Sequence, residues 1–203
     1  MMFLELAANR KRGLNWDAVN VSSNYGDKSV KLHDLTNLPI KGIPDNFYDG
    51  VYSEHFIEHL YKYQGVNIFK EVMRVLKPGG VIRTVWPSYD VVEWLIGEED
   101  LSNHPFVKHY YQRYIVQERF CAAGHKNKRI QEQVALGLLY QKGEHLYLWG
   151  KQEMIDTLSS LGFQNVKEYE YGKSSLADFN NIDTPGQIRA MHSTVVEAKK
   201  LWK

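Results

Sequence analysis

The stretch Tyr48-Asp49-Gly50-Val51-Tyr52-Ser53-Glu54-His55-Phe56-Ile57-Glu58-His59-Leu60, continued by Glu71-Val72-Met73-Arg74-Val75-Leu76-Lys77-Pro78-Gly79-Gly80-Val81-Ile82-Arg83, decides how the chain is read. It opens as a short apolar run, passes through a polar loop, and resumes from about Gln64 to Leu76 with Val66, Phe69, Val72, Met73 and Leu76 at helical spacing. That stripe is core. Pro78-Gly79-Gly80 then stops the helix and hands the chain to a second apolar run, Val81 to Val85. Strand, helix and strand in this order predict a βαβ unit.

Composition bounds what can surround that unit. A chain of 203 residues holds one well-packed core, so residues 1–203 are read as a single domain. Lys plus Arg (25) nearly balances Asp plus Glu (24), which gives no general electrostatic reason to expect nucleic acid or an anionic membrane. No apolar run approaches a membrane span. Cys121 is the sole cysteine, excluding an intrachain disulfide framework and a cysteine-based zinc cluster. A reducing cytoplasm is the expected setting, and Met1-Met2-Phe3-Leu4-Glu5 shows no secretory signal pattern.

Outward from the central unit, Met2 to Ala7 reads as a first strand, Leu14, Trp16 and Ala18 alternate as a second, and Val30 to Leu35 reads as a third. Ala8 to Gly13 is shorter than a normal parallel crossover, so the first helix is expected to be vestigial. Asp90 to about Lys142 looks helical, with Trp94, Tyr110, Tyr111, Tyr114 and Phe120 among its apolar residues, and is read as an insertion at about 90–142. Most of these rings are expected to pack the insertion onto the body. Gln152 to Leu161 is a helix closed by Gly162, Phe163 to Tyr171 is strand-like, and His192 to Ala198 is a last strand.

Ser53 to His59 and Arg74 to Gly80 resemble the fourth and fifth strand motifs of the class I S-adenosylmethionine (SAM)-dependent methyltransferases, in the style of their short type 11 members. The resemblance covers roughly Phe3 to Pro87 and Gly143 to Lys199. It implies an α/β, Rossmann-like, doubly wound fold: a mostly parallel seven-stranded sheet with an antiparallel last strand and a helical insertion after strand 5. It also implies SAM as cofactor, no metal, and contacts from Glu5, Ala7, Asn9, Asp17, Asp34, Leu35, Ser53, Glu54 and His55. Asp17 falls at the acidic position expected on the ribose, and Asp34 near the adenine.

Ala7 and Asn9 stand where the family has two glycines. Asn9 is expected to hold the left-handed turn, because asparagine tolerates that region better than most residues. Ligands of open α/β sheets bind beyond the carboxyl ends of the strands, so Ser53, His55 and Trp86 are expected to face one crevice. His55, then His59, then His145 are the candidate general bases for a hydroxyl acceptor, since an imidazole titrates near neutral pH.

Three functions stay open at this point. The first is methyl transfer to a small-molecule or sugar-type acceptor, with the insertion as a lid or as a homodimer surface. A degenerate, non-catalytic binding domain is the second, motivated by the lost glycines. The third takes His55-Phe56-Ile57-Glu58-His59 as an H-x-x-E-H zinc-peptidase motif, which requires a helix from His55 and a third ligand elsewhere.

Overall fold

A computed structural model describes residues 1–21, 27–98, 100–115 and 129–201. Ser22, Phe120 and Cys121 lie outside the described residues, as does the side chain of Tyr114. Seven strands form one sheet: β1 (Phe3–Leu6), β2 (Trp16–Asn20), β3 (Val30–Leu32), β4 (Tyr48–Glu54), β5 (Leu76–Pro87), β6 (Gln164–Glu168) and β7 (Ser193–Lys199). Their spatial order is β3-β2-β1-β4-β5-β7-β6. The first five are mutually parallel, and β7 runs antiparallel to both β5 and β6. The chain order reverses between β1 and β4, and that switch point is where an open α/β sheet opens a crevice.

The βαβ unit is built as its pattern dictates. The helix α1 (Lys62–Val75) buries Ile68, Phe69, Val72 and Val75 against the sheet. Glu71 and Arg74, the polar residues in its stripe, are a staple. Glu71 Oε1 accepts the Ile40 amide at 2.7 Å, while Arg74 bonds Glu71 and the Ile43 carbonyl, so the connector before β4 is tied to the helix end. Lys77-Pro78-Gly79-Gly80 does not precede β5 but bulges within it. Tyr48 pairs with Leu76 and Gly50 already with Val81, leaving four residues of β5 looped out.

The two sheet faces are covered differently. One carries α1 and α5 (Lys151–Ser160), whose Met154 and Leu158 join Leu4, Leu6, Val51 and Ile82 in the main core. The other has an irregular strap over residues 169–186, whose Phe179, Leu176 and Ile182 pack on Phe3, Trp16, Tyr52 and Val85. A Cβ at Gly50 would sit 2.6 Å from Phe179 Cζ, so this glycine is what lets the strap lie flat on the sheet. No helix joins β1 to β2. Between β5 and β6 the chain forms α2 (Tyr89–Gly97), α3 (Pro105–Tyr110) and α4 (Ile130–Tyr140), which bury Val92, Leu95, Phe106, Val107, Tyr110, Val134 and Leu138 in a core of their own. A last short helix, α6 (Gln187–His192), leads into β7. Among the described residues no helix is long and apolar enough to cross a membrane.

Candidate active site

At the carboxyl ends of β1 and β4 lies a cavity of about 600 Å³, walled by residues 5–12, Glu54, and Ile182, Thr184, Pro185 and Arg189 of the strap and its continuation. Its floor is the turn after β1. Ala7 takes φ +56°, and Asn9 is not among the residues with positive φ, so the left-handed position belongs to Ala7 and not to Asn9. Pairing explains this. Leu6 is fixed opposite Val19, and the Ala8 amide donates to the Val19 carbonyl at 3.0 Å, which forces the reversal at the residue between them. An alanine held there costs about 1–2 kcal/mol relative to glycine's freedom.

Charge organises the walls. Arg12 donates from Nε and Nη2 to the two oxygens of Glu5, at 2.7 and 2.8 Å, and lies 5.0 Å above the Tyr52 ring. Burial raises the Glu5 carboxyl, and the Arg12 bond and charge oppose that without cancelling it. Across the cavity, Glu54 accepts from Tyr52 Oη (3.0 Å), Tyr171 Oη (2.9 Å), Thr184 Oγ1 (2.5 Å) and Arg189 Nε (2.9 Å). Burial would raise Glu54, but these donors and the Arg189 charge hold its pKa down to about 2.

Adjoining this cavity is a second, of about 470 Å³, lined by His55, Glu58, His59, His109, Gln141 and His192 among others. Thr184, Pro185 and Arg189 wall both. His55 is the hinge residue of β4's end: φ is +49°, its amide continues the β4–β5 pairing by donating to Val85 O at 2.8 Å, and its Nε2 lies 2.9 Å from Ser193 Oγ. Glu58 and His59 follow in a 3₁₀ turn, Ile57–His59. His145 is buried behind them, its ring 5.1 Å from that of His59, and burial pushes its pKa down.

Other predicted site residues go elsewhere. Asp17 is the second residue of β2, opposite Leu4, so it sits toward the amino end of the sheet; its carboxylate accepts from Tyr48 Oη at 2.8 Å and neighbours Lys11 Nζ at 3.8 Å. The strand runs on to Asn20, whose side chain bonds Ala8 O (2.8 Å) and Asn9 Oδ1 (3.3 Å), bracing the turn. Asp34 spends its carboxylate on Thr36 and Asn37 in a local turn, and Leu35 is core. Ser53 is buried against Thr84, and Trp86 is fully buried with its Nε1 donating to Trp149 O, so of Ser53, His55 and Trp86 only His55 lines a cavity. The peptidase reading fails on geometry, because His55 is in the left-handed region ahead of a single 3₁₀ turn and shares no helical face with His59. Sequence reasoning missed Arg12, Thr184, Arg189 and His192. Only the basic run Arg10-Lys11-Arg12 gave any sign of the first.

Residues 5–84 match the family model of the methyltransferase domain, and that match spans both the Ala7 turn and the β4–α1–β5 unit. That span, about two fifths of the chain, is similar to a methyltransferase domain. The fold of the chain agrees with that of an Archaeoglobus fulgidus SAM-dependent methyltransferase at a TM-score of 0.54 and 16% identity, over 98% of this chain and 86% of that one. A Haloferax volcanii complex of the Trm112 methyltransferase activator with a methyltransferase gives 0.51 and 14%, over 99% and 83%. Human N-acetylserotonin methyltransferase in complex with SAM gives 0.52 and 10%, over 99% of this chain and 48% of that one. At such identities the likeness is one of fold. No curated protein matches the sequence.

In the first cavity the backbone suits a SAM-type cofactor at one place. The turn at Ala7 keeps the left-handed geometry that brings the main chain close to a ligand, despite the side chain it must carry. At the end of β2 the fit is different, since Asn20 is committed to the turn.

Proposed function

We propose that this protein is a methyltransferase that transfers the methyl group of SAM to a hydroxyl of a small polar, sugar-type acceptor. The observation that carries this reading is the pair of adjoining cavities sharing the Thr184–Arg189 wall, one on the cofactor turn and one lined by histidine, glutamate and glutamine side chains. SAM supplies a methyl group already activated on a sulfonium, so the acceptor oxygen gains the methyl and sulfur leaves with the bonding electrons. What the chain must add is alignment, exclusion of water and a sink for the hydroxyl proton. His55 and His59 line the acceptor cavity and are the candidates for that sink. His145 is less suited, being buried with its Nδ1 bonded to Leu138 O. Arg12 and Arg189 face the cofactor cavity, with Glu5 and Glu54 compensating them. A cytoplasmic setting goes with this reading, and α2 to α4, which supply His109 to the acceptor cavity, act as its cover.

Calorimetric titration with SAM and S-adenosylhomocysteine tests it. Saturable binding of both is expected, and absence of binding in folded protein would leave the degenerate-domain reading. Ala7→Gly should bind SAM more tightly and gain about 0.5–1 kcal/mol of stability, the relief of strain exceeding the added freedom of the unfolded chain. Asp17→Ala should leave the affinity unchanged, since its carboxylate faces Tyr48 near the amino end of the sheet. A loss of binding in Asp17→Ala would overturn that placement.

The acceptor cavity also makes a prediction about pH. His192 stacks on Phe106, with ring centroids 5.6 Å apart, and meets His55 edge-on. Burial, with the neighbouring His55 and Arg189 charges, pushes its pKa down to about 4. A histidine depressed on folding is neutral in the folded state and protonated in the unfolded one between about pH 6.5 and 4. The unfolded state therefore binds more protons, and stability is complete above about pH 6.5 and falls by up to about 3 kcal/mol toward pH 4. Denaturant unfolding across that range should show this slope in the wild type and a shallower one in His192→Phe.

A further inference from the structure

Glu58 is fully buried, and neither oxygen of its carboxylate has a hydrogen-bond partner among the described residues. Two imidazole nitrogens approach it, His55 Nδ1 at 3.4 Å and His59 Nε2 at 3.9 Å, both beyond the length of a charge-assisted hydrogen bond. A bare buried carboxylate is expensive, so something cationic is called for at this point. The surrounding backbone holds it in place. Leu146 and Tyr147 both donate their amides to the Glu58 carbonyl, at 2.8 and 3.2 Å, which pins the segment carrying His145 to the turn carrying Glu58 and His59.

The two histidines are set up as ligands and not as donors toward Glu58. His59 Nδ1 lies 3.0 Å from Glu144 O, and His145 Nδ1 lies 2.5 Å from Leu138 O. A carbonyl oxygen can only accept, so each Nδ1 carries a proton, and the nitrogen free to take a metal is Nε2. A backbone carbonyl fixing one ring nitrogen so that the other can bind a metal is the usual outer support of a histidine ligand. One ligand atom from each of Glu58, His59 and His145 lies within 4.8 Å of the others. Ligands held about 2.0–2.2 Å from a zinc-type ion lie about 3.3–3.6 Å apart, so side-chain closure of up to about 1.5 Å completes the set.

We propose that Glu58, His59 and His145 bind a divalent first-row transition-metal ion, through two imidazole nitrogens and one carboxylate. Zinc and its neighbours in that series suit this mixed N/O set, whereas magnesium and calcium prefer oxygen alone. The site differs from the peptidase motif, since His55 is replaced as a ligand by His145 from the far half of the chain. Glu58 and His59 also line the acceptor cavity, so a bound ion would sit beside it. It would bind an acceptor hydroxyl and lower its pKa; His59 would then serve as ligand, and the released proton would pass to His55, the other candidate sink, as the oxygen attacks. That role rests on the methyl-transfer reading; the ion site does not.

The test uses the full chain stripped with a chelator and dialysed. Co²⁺ is titrated by visible absorption and Zn²⁺ by calorimetry. One equivalent of each is expected to bind, with the absorption of Co²⁺ in a low-symmetry nitrogen and oxygen site. Glu58→Gln, which keeps the shape of the side chain, should weaken Zn²⁺ by at least about 100-fold, as should His59→Ala and His145→Ala, because removal of a ligand exceeds the cost of losing its outer support. His33→Ala, altering a half-buried histidine of another loop, should leave Zn²⁺ and Co²⁺ binding unchanged. The site is overturned if folded wild type binds neither ion, or if Glu58→Gln binds them as the wild type does. SAM titration of the same samples separates the two proposals: SAM binding without metal binding removes the ion site alone, and metal binding without SAM binding removes the methyl-transfer reading alone.

Discussion

Asp183→Ala is expected to cost about 3–5 kcal/mol of folding stability, read as a lower denaturant midpoint with an unchanged slope. Arg83 on β5 is fully buried, and its guanidinium is shared between Asp183, bonded to Nε at 2.9 Å and also to Nη2, and Glu197 at 2.8 Å. Burial alone would lower the Arg83 pKa, and the two carboxylates more than reverse that. Such a group is costly to assemble but far costlier to break, because removing one carboxylate leaves a cation that is partly uncompensated in a low-dielectric interior. Asp183 also accepts the Gly172 amide at 2.7 Å, while Glu197 accepts from Ser174 and Ser175. The triad is therefore what fastens the strap to the sheet. Asp183→Asn keeps the shape and loses the charge, so it should fall between wild type and alanine. A loss below about 1 kcal/mol in Asp183→Ala would mean that apolar contacts such as Phe179 hold the strap without it.

The strap also shows where the sequence was legible and where it was not. The βαβ unit could be read because Phe69, Val72 and Leu76 repeat with the period of a buried helix face, and periodicity survives whatever the neighbours are. Residues 169–186 carry no period, being irregular chain whose order comes from contacts with Phe3, Trp16 and Tyr52 far away in sequence. Arg83 was the available clue, since a charge in the middle of an otherwise apolar central strand demands buried counter-charges. A turn with one left-handed residue does follow β1, but that residue was assigned by intrinsic preference to Asn9. Register decided for Ala7 instead, because the pairing of Leu6 with Val19 fixes where the chain must reverse. Asp17 was misplaced for the same reason. A strand ends where its hydrogen-bonded partners end, and β2 runs three residues beyond the acid that was taken to close it. His145 was read as a third candidate base entering from the C-terminal half, and only the fold reveals that its ring lies beside that of His59, with Glu58 close to both.

Glu54→Ala is expected to weaken SAM binding by about 10–100-fold and to cost about 2–4 kcal/mol of stability. The carboxylate closes β4 and gathers donors from three places: Tyr52 on its own strand, Tyr171 and Thr184 on the strap, and Arg189 on α6. Thr184 and Arg189 are also the wall common to both cavities. Without Glu54 that wall loses its anchor on the sheet, and Arg189 is left beside the same cavity as Arg10 and Arg12 with less negative charge to balance it. Glu54→Gln retains an acceptor for the hydroxyls but loses the ion pair, so it should keep most of the stability and part of the affinity. The pH dependence follows from the depressed carboxyl: its contribution is present above the ordinary carboxylate range and is lost as pH falls through about 2. Calorimetry with SAM on the three proteins, each shown to be folded, decides the matter. Equal affinity in wild type and Glu54→Ala would mean that the cofactor rests on the Ala7 turn alone and that the shared wall belongs to the acceptor. A graded loss would show that cofactor and acceptor cavities are mechanically one, with Glu54 as the group that joins them.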